Sequence, residues 1–379
     1  MRFIYADNAA TTQLSDTALE AMLPYLREEY GNASTLYKLG RSAHNAIASA
    51  RRTFADGIQA IPAEIFFTSG GTESDNWAIK GTAHRLAAQG KRHIVTDNIE
   101  HHAVLNSTKS LEKEGFDVTY IMADENGVVR AEDVKAAIRP DTVLVSVMFA
   151  NNELGTIQPV AEIGRICREA GVLFHCDAVQ AAGILPIDVQ AMNIDLLSMS
   201  AHKFHGAKGV GVLYARRGCV PEAYMDGGEQ EYRHRAGTEN VAGIVGAAAA
   251  FAEALGERGH KAARLAQMRD EIQAGLLKIP GAVVNGANAA RLPGTLNMSF
   301  PGVDGQSLIF ALDSNGIAAS SGSACASGSI SPSHVLLALG LPYSLAHGSL
   351  RLSFGRYNTE DEIDEIVRAV TDAVNELRG

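Results

Sequence analysis

Cysteine is scarce in this chain. Four occur in 379 residues, Cys167, Cys176, Cys219 and Cys325, and no two form a Cys-x-x-Cys pair. That excludes a disulfide-stapled scaffold and a zinc or dithiol module, and fits a reduced, cytoplasmic protein. Basic charge is also short: 33 Lys and Arg against 43 Asp and Glu leave a formal net charge of -10. This is the wrong sign for a partner built on a phosphate backbone, so no nucleic acid is expected. No apolar run is long enough to cross a membrane, and Met1-Arg2-Phe3-Ile4-Tyr5 is too short for a signal peptide. Repeats, charge blocks, low-complexity tracts and Pro/Ser-rich linkers are missing too. What is there is 46% hydrophobic and 20% charged residues, enough for a large core and roughly two domains.

From Glu64 to Ala215 short apolar runs alternate with helical patterns. Strands are expected at Glu64–Thr68, His93–Thr96, Val118–Ile121, Val143–Met148, Val172–Cys176, Leu196–Met199 and Gly211–Tyr214. Helices are expected at Ser15–Tyr30, Thr72–Gln89, His102–Gly115, Ala131–Ile138 and Val160–Ala170. Continuous Val/Ile/Leu strands with helical crossovers predict an α/β fold on a mostly parallel, seven-stranded sheet covered on both faces. Asn240 to Ile279 reads as a helical bridge, and Val283 to Arg378 as a smaller α+β domain. Its last helix opens at Thr359, with Glu362 completing a capping box.

Ligands of open α/β sheets collect at the carboxyl ends of strands. Those ends carry, in order, the glycine turn Thr68-Ser69-Gly70-Gly71-Thr72, then Glu100-His101-His102, Asn151-Asn152-Glu153, Asp177-Ala178-Val179-Gln180, and Ser200-Ala201-His202-Lys203. Singly, each has an ordinary structural explanation: a capped turn, a satisfied histidine, a helix cap, a surface lysine. Together they offer a phosphate cradle at a helix start, an aromatic base, amides, a carboxylate and an amine. Lysine forms Schiff bases with aldehydes, and a carboxylate can hold a pyridine nitrogen protonated. Those are the requirements of pyridoxal 5′-phosphate, with Lys203 as the amine, Asp177 at the ring nitrogen, His101 stacked on the ring and Gln180 at its phenolic oxygen.

The chain resembles the cysteine desulfurases of the NifS/IscS type, group I, within the class V aminotransferase-like, fold type I pyridoxal phosphate enzymes. Besides the strand ends, the resemblance rests on Asp7-Asn8-Ala9-Ala10-Thr11-Thr12, Arg235-Ala236-Gly237-Thr238-Glu239-Asn240 and, most specifically, Ser320-Ser321-Gly322-Ser323-Ala324-Cys325. It implies a larger cofactor domain over 15–257 and a small domain over 1–14 and 258–379. It also implies a homodimer in which Gly71, Thr72, Ser200 and His202 hold the phosphate and Thr238 comes from the partner subunit. Asn152 would contact ring and substrate, Arg351 would fork onto the substrate carboxylate, and Asn32 would lie beside it. Glu229 departs from the family pattern, where many relatives have histidine or glycine. IscS-type relatives carry a longer tail that helps dock the scaffold protein, whereas this sequence ends at Gly379, an ending closer to the NifS kind or to a shortened chain.

The activity so implied is removal of sulfur from L-cysteine. Lys203 moves the α-proton, and Cys325 takes the sulfur as a persulfide, leaving L-alanine; His101 assists the proton transfers. The persulfide passes to a protein acceptor such as an iron–sulfur scaffold. No resident metal is expected, though Cys325 is a candidate transient cluster ligand. Cys325 sits among small residues with no apolar periodicity to bury it, and the segment Ser320 to Pro332 is expected to be mobile. A selenocysteine lyase, another pyridoxal phosphate β-lyase, or a sulfur-carrier scaffold with vestigial catalysis are the alternatives.

Overall fold

The structure is a computed structural model that describes residues 2–321 and 332–379. Twelve strands appear among them: β1 (Ile4–Tyr5), β2 (Ile65–Thr68), β3 (His93–Asp97), β4 (Asp117–Ile121), β5 (Thr142–Ser146), β6 (Leu173–Asp177), β7 (Leu196–Ser200), β8 (Gly211–Ala215), β9 (Val283–Val284), β10 (Thr295–Ser299), β11 (Ile317–Ala318) and β12 (Ser349–Ser353). Seven form one sheet in the order β2-β8-β7-β6-β5-β3-β4. Only β8 runs against the rest, pairing antiparallel with both β2 and β7.

Alternation along the strands explains why helices cover both faces. Phe67, Val95, Val145, Leu197 and Tyr214 join an apolar core on one face, and their neighbours Phe66, Ile94, Leu144, Leu196 and Leu213 join a second on the other. A period-2 backbone sends successive side chains to opposite faces, so a continuous apolar run buries on both. Phe54 centres the first core, stacked on Phe251 at 4.9 Å between ring centroids and edge-on to Phe67 at 6.0 Å. Each such fully buried ring is worth about 1.5–3 kcal/mol in transfer free energy.

The 36-residue helix Val241–Leu276 starts at Asn240, whose side chain accepts from the Gly243 N–H. Its first half, through Ala254, packs into the sheet core. Its second half, from Leu265 to Leu276, packs against β10, β12 and the C-terminal helix Ile363–Arg378. There β9, β10 and β12 form an antiparallel sheet and β1 pairs parallel with β11. The capping box at Thr359 and Glu362 is present. Among the described residues no helix is long and apolar enough to cross a membrane.

Two elements differ from expectation. A 21-residue helix, Lys38–Ile58, went unread because Gly40, Ala43 and Ala50 alternate with Ile47, Phe54 and Ile58 on its buried face, so large apolar residues mark only part of the stripe. The helix expected from Thr72 begins at Gly71 and contains a π-turn at Trp77–Gly81 before ending at Ala87. There the Trp77 indole N–H donates to the Glu222 carbonyl at 2.7 Å.

Candidate active site

At the carboxyl ends of β2, β5, β6 and β7 a cleft of about 310 Å³ is lined by Gly71, Thr72, His101, Asn152, Asp177, Gln180, Ser200, His202, Lys203 and Arg351. Ten of the expected site residues therefore meet in one place. Thr238 and Asn32 do not line it. Thr238 is exposed on the segment before the long helix, and Asn32 is exposed with its Oδ1 accepting from the Ser34 N–H at 2.9 Å. Cys325, and the expectation of a mobile loop around it, lie outside the described residues.

Lys203 is held from outside its own strand. It follows β7 on a single 3-10 turn, Ala201–Lys203, and His205 then adopts a left-handed backbone, φ 68°, a conformation histidine tolerates at some cost. That turn is stitched to the start of the chain. The Thr12 N–H donates to the His202 carbonyl at 2.9 Å, and the His205 N–H donates to the Thr12 hydroxyl at 2.8 Å. The Lys203 amine donates to the carbonyls of Ala9 at 2.5 Å and Ala10 at 2.8 Å, and Gln180 Nε2 donates to Ala9 O at 3.0 Å.

Opposite the amine, Asp177 ends β6 and accepts from the Val179 N–H at 2.9 Å. Burial raises its pKa to about 6, against the opposing pull of that hydrogen bond and of Lys203. A carboxylate so placed gains from a cationic partner. Behind it are Asp75 and Glu100, also fully buried and raised well above the usual carboxylate range, by burial first and then by repulsion, of Asp75 from Asp177 and of Glu100 from Asp97 and Asp177. His175, under the same strand end, bonds Ser146 at 2.9 Å and Ser198 at 3.0 Å and lies 3.6 Å from Asp75; burial lowers its pKa to about 3. His101 caps the helix His102–Lys113 by accepting from the Ala103 N–H through Nδ1 at 3.1 Å. Burial, then Lys203, lower its pKa to about 4, so the ring is neutral with its proton on Nε2.

The glycine turn is shaped by contact. A Cβ on Gly71 would come within 2.6 Å of Val179 Cγ2, so only glycine lets the backbone approach this wall of the cleft. The turn is braced by Glu73, which accepts from the Ser69 N–H at 2.8 Å and from Arg235 at 2.7 Å. Backbone N–H groups at a helix start, the Ser200 and Thr72 hydroxyls, an amine and a buried carboxylate are the donor set a phosphate-bearing pyridine aldehyde requires. The residues present fit that group. No cluster of His, Cys, Asp and Glu that could hold a metal is found among the described residues.

Arg351, on β12, is 2% exposed. Its Nη1 donates to the Asn152 carbonyl at 2.9 Å and its Nη2 to Asp7 Oδ1 at 2.8 Å. Asp7 and Asp75 are the site's carboxylates that sequence reasoning did not single out. Asp75 carried a signal, lying on the buried face formed with Gly71, Ser74, Ala78 and Ile79. Asp7 stands in the Asp7–Thr12 motif but its sequence gives it no role of its own; it meets Arg351 from 344 positions away. The remaining cysteines are buried: Cys167 and Cys176 in the sheet core, Cys219 near Arg216. Burial pushes the thiol of Cys167 up to about 12 and that of Cys176 well above its usual value.

The family model described as aminotransferase class-V matches residues 4–366. The cysteine desulfurase IscS of Methanosarcina thermophila is 50% identical over 375 residues, 99% of this chain and 93% of that protein. A solved NifS-like protein superposes with a TM-score of 0.93 at 39% identity, covering 99% of this chain and 100% of the other. A structure described as SspA in complex with cysteine gives 0.83 at 37% identity, covering 94% and 100%. With a matching domain over almost its whole length and relatives at half identity, the chain belongs to the class-V aminotransferase family, in its cysteine desulfurase branch.

Proposed function

We propose that this protein is a pyridoxal 5′-phosphate-dependent cysteine desulfurase that converts L-cysteine to L-alanine and stores the sulfur as a persulfide on Cys325 for a protein acceptor such as an iron–sulfur scaffold. The observation that carries the reading is the meeting of Lys203, Asp177, His101 and Arg351 around one cleft with a glycine-walled helix start.

In this reading Gly71, Thr72, Ser200 and His202 hold the phosphate, Asp177 the ring nitrogen, and Gln180 and His101 the ring. The bound cofactor supplies an electron sink for the carbanion at the substrate α-carbon. Everything else falls to the chain's own groups. Arg351 receives the α-carboxylate, with Asn152 beside it. Lys203, held by the Ala9 and Ala10 carbonyls, carries the proton to and from the α-carbon. His101, neutral and with its Nε2 proton available, relays protons near the departing sulfur. The Cys325 thiolate attacks that sulfur; the carbon–sulfur bond breaks with its electron pair kept by carbon, which takes up a proton. Cysteine and the enzyme thiol thus become alanine and an enzyme persulfide, with no outside oxidant.

The exposure of Thr238, away from the cleft of its own chain, supports a dimer in which it reaches the other subunit's phosphate. The test is to load the purified protein with pyridoxal phosphate, supply L-cysteine and a thiol reductant, and measure alanine and sulfide. One alanine per sulfide supports the proposal; turnover of L-selenocysteine alone selects a selenocysteine lyase, and no turnover of either leaves only a carrier.

A further inference from the structure

Arg351 lines the cleft almost fully buried and already ion-paired. A buried guanidinium without a counter-charge is expensive, and two carboxylates are near enough to serve. Glu153 is the poorer of them. Its oxygen accepts from the Ser333 hydroxyl, and burial raises its pKa to about 7, with that hydrogen bond and Arg351 only partly opposing. Asp7 makes the direct contact, through Nη2. The Asn152 carbonyl holds Nη1, and the Nε–H, although buried, has no partner among the described residues. Arg351 is thus gripped at two nitrogens while donors on its fork remain for a third group. Asp7 is itself fixed, through its bridge to Ser353 beside the arginine's own strand.

We propose that Asp7 is the resident counter-ion of Arg351, a positioning residue with which the α-carboxylate of the amino-acid substrate competes. The inference rests on the reading of Arg351 as the carboxylate anchor. Asp7 keeps the guanidinium oriented and neutralised before substrate arrives, so an incoming carboxylate gains only the difference between two ion pairs. Removing the Asp7 charge while keeping a hydrogen-bond acceptor leaves Arg351 oriented but short of negative charge, and the substrate carboxylate then supplies it. Asp7 therefore weakens amino-acid binding in exchange for easy release of the product, which carries the same carboxylate.

The experiment titrates L-alanine into the cofactor-loaded protein, wild type and Asp7→Asn, by calorimetry, with ethylamine as the probe that lacks the carboxylate. Asp7→Asn should bind L-alanine roughly three- to thirtyfold more tightly, with no such gain for ethylamine. L-alanine should also raise the melting temperature of the variant more than that of the wild type. Asp7→Ser is the second charge-free variant should Asn disturb folding, and Asp7→Glu should return L-alanine affinity toward wild type. Unchanged or weaker L-alanine binding in the folded charge-free variants overturns the proposal. Arg351→Lys separates the two readings: if it leaves L-alanine affinity intact, the assignment of Arg351 as anchor fails, whereas a loss there with no gain in Asp7→Asn sinks only the role of Asp7.

Discussion

The Lys203 amine lies 2.5 Å from the carbonyl oxygen of Ala9, joining residues 194 positions apart. The opening segment of the chain therefore forms part of the wall that aims the amine. Asn8 and Ala9 are in turn held by Ser353, through its carbonyl at 3.0 Å and its hydroxyl at 2.9 Å. One short segment ties the sheet that carries Lys203 to the strand that carries Arg351.

If Lys203 is the amine that holds the cofactor, borohydride reduction of the loaded protein should fix a pyridoxyl label on that residue. Lys203→Ala should take no label and lose roughly 10³-fold or more in turnover, the order contributed by a positioned general acid–base together with covalent attachment. Peptide mapping reads the result. A label on Lys208, which lies beside the glycine turn with Gly70, Gly71 and Thr72, would contradict the assignment.

Asp177→Ala should bind the cofactor but lose the counter-charge at the ring nitrogen. Exchange of the substrate α-hydrogen with solvent deuterium should slow by about 10²–10³-fold, the size expected when one pre-organised electrostatic contact is removed. Exchange at the wild-type rate would mean that another group, such as the nearby Asp75, serves the ring.

Glu153 gives a pH prediction with a fixed sign. Burial raises its pKa from an ordinary 4.5 to about 7, so the fold accommodates the neutral acid. Its contribution to stability is complete below about pH 4.5 and is lost as the pH rises through about 7. Glu153→Gln cannot ionise. Relative to wild type, it should be more stable by less than about 1 kcal/mol at pH 5 and by about 3 kcal/mol at pH 8. Urea titrations at the two pH values decide; a difference that does not change between them would show Glu153 ionised throughout.

The seven strands of the large sheet and the residues at their ends were legible in the sequence, because continuous apolar runs buried on both faces stop where polar side chains begin; the short strands β1, β9, β10, β11 and β12 were not read singly. Lys203, Asp177, His101 and Asn152 were found that way. What was illegible depends on packing between distant segments. Asp7 is an ordinary acid until β12 comes alongside and Arg351 reaches it. Lys38–Ile58 buries alanines and glycine against the sheet, and small residues carry little periodic signal. The π-turn at Trp77–Gly81 lies within a sequence that reads as unbroken helix.

The central claim is that sulfur leaves cysteine for Cys325. Cys167, Cys176 and Cys219 are buried, and burial raises the pKa of all three, which keeps them poor nucleophiles. The direct measurement is mass spectrometry of the loaded protein after brief exposure to L-cysteine and alkylation, without reductant. The account predicts one additional sulfur on the peptide containing Cys325, absent from Cys325→Ser, and none on the other three; added sulfur on Cys176, or alanine formed at the wild-type rate by Cys325→Ser, would contradict it.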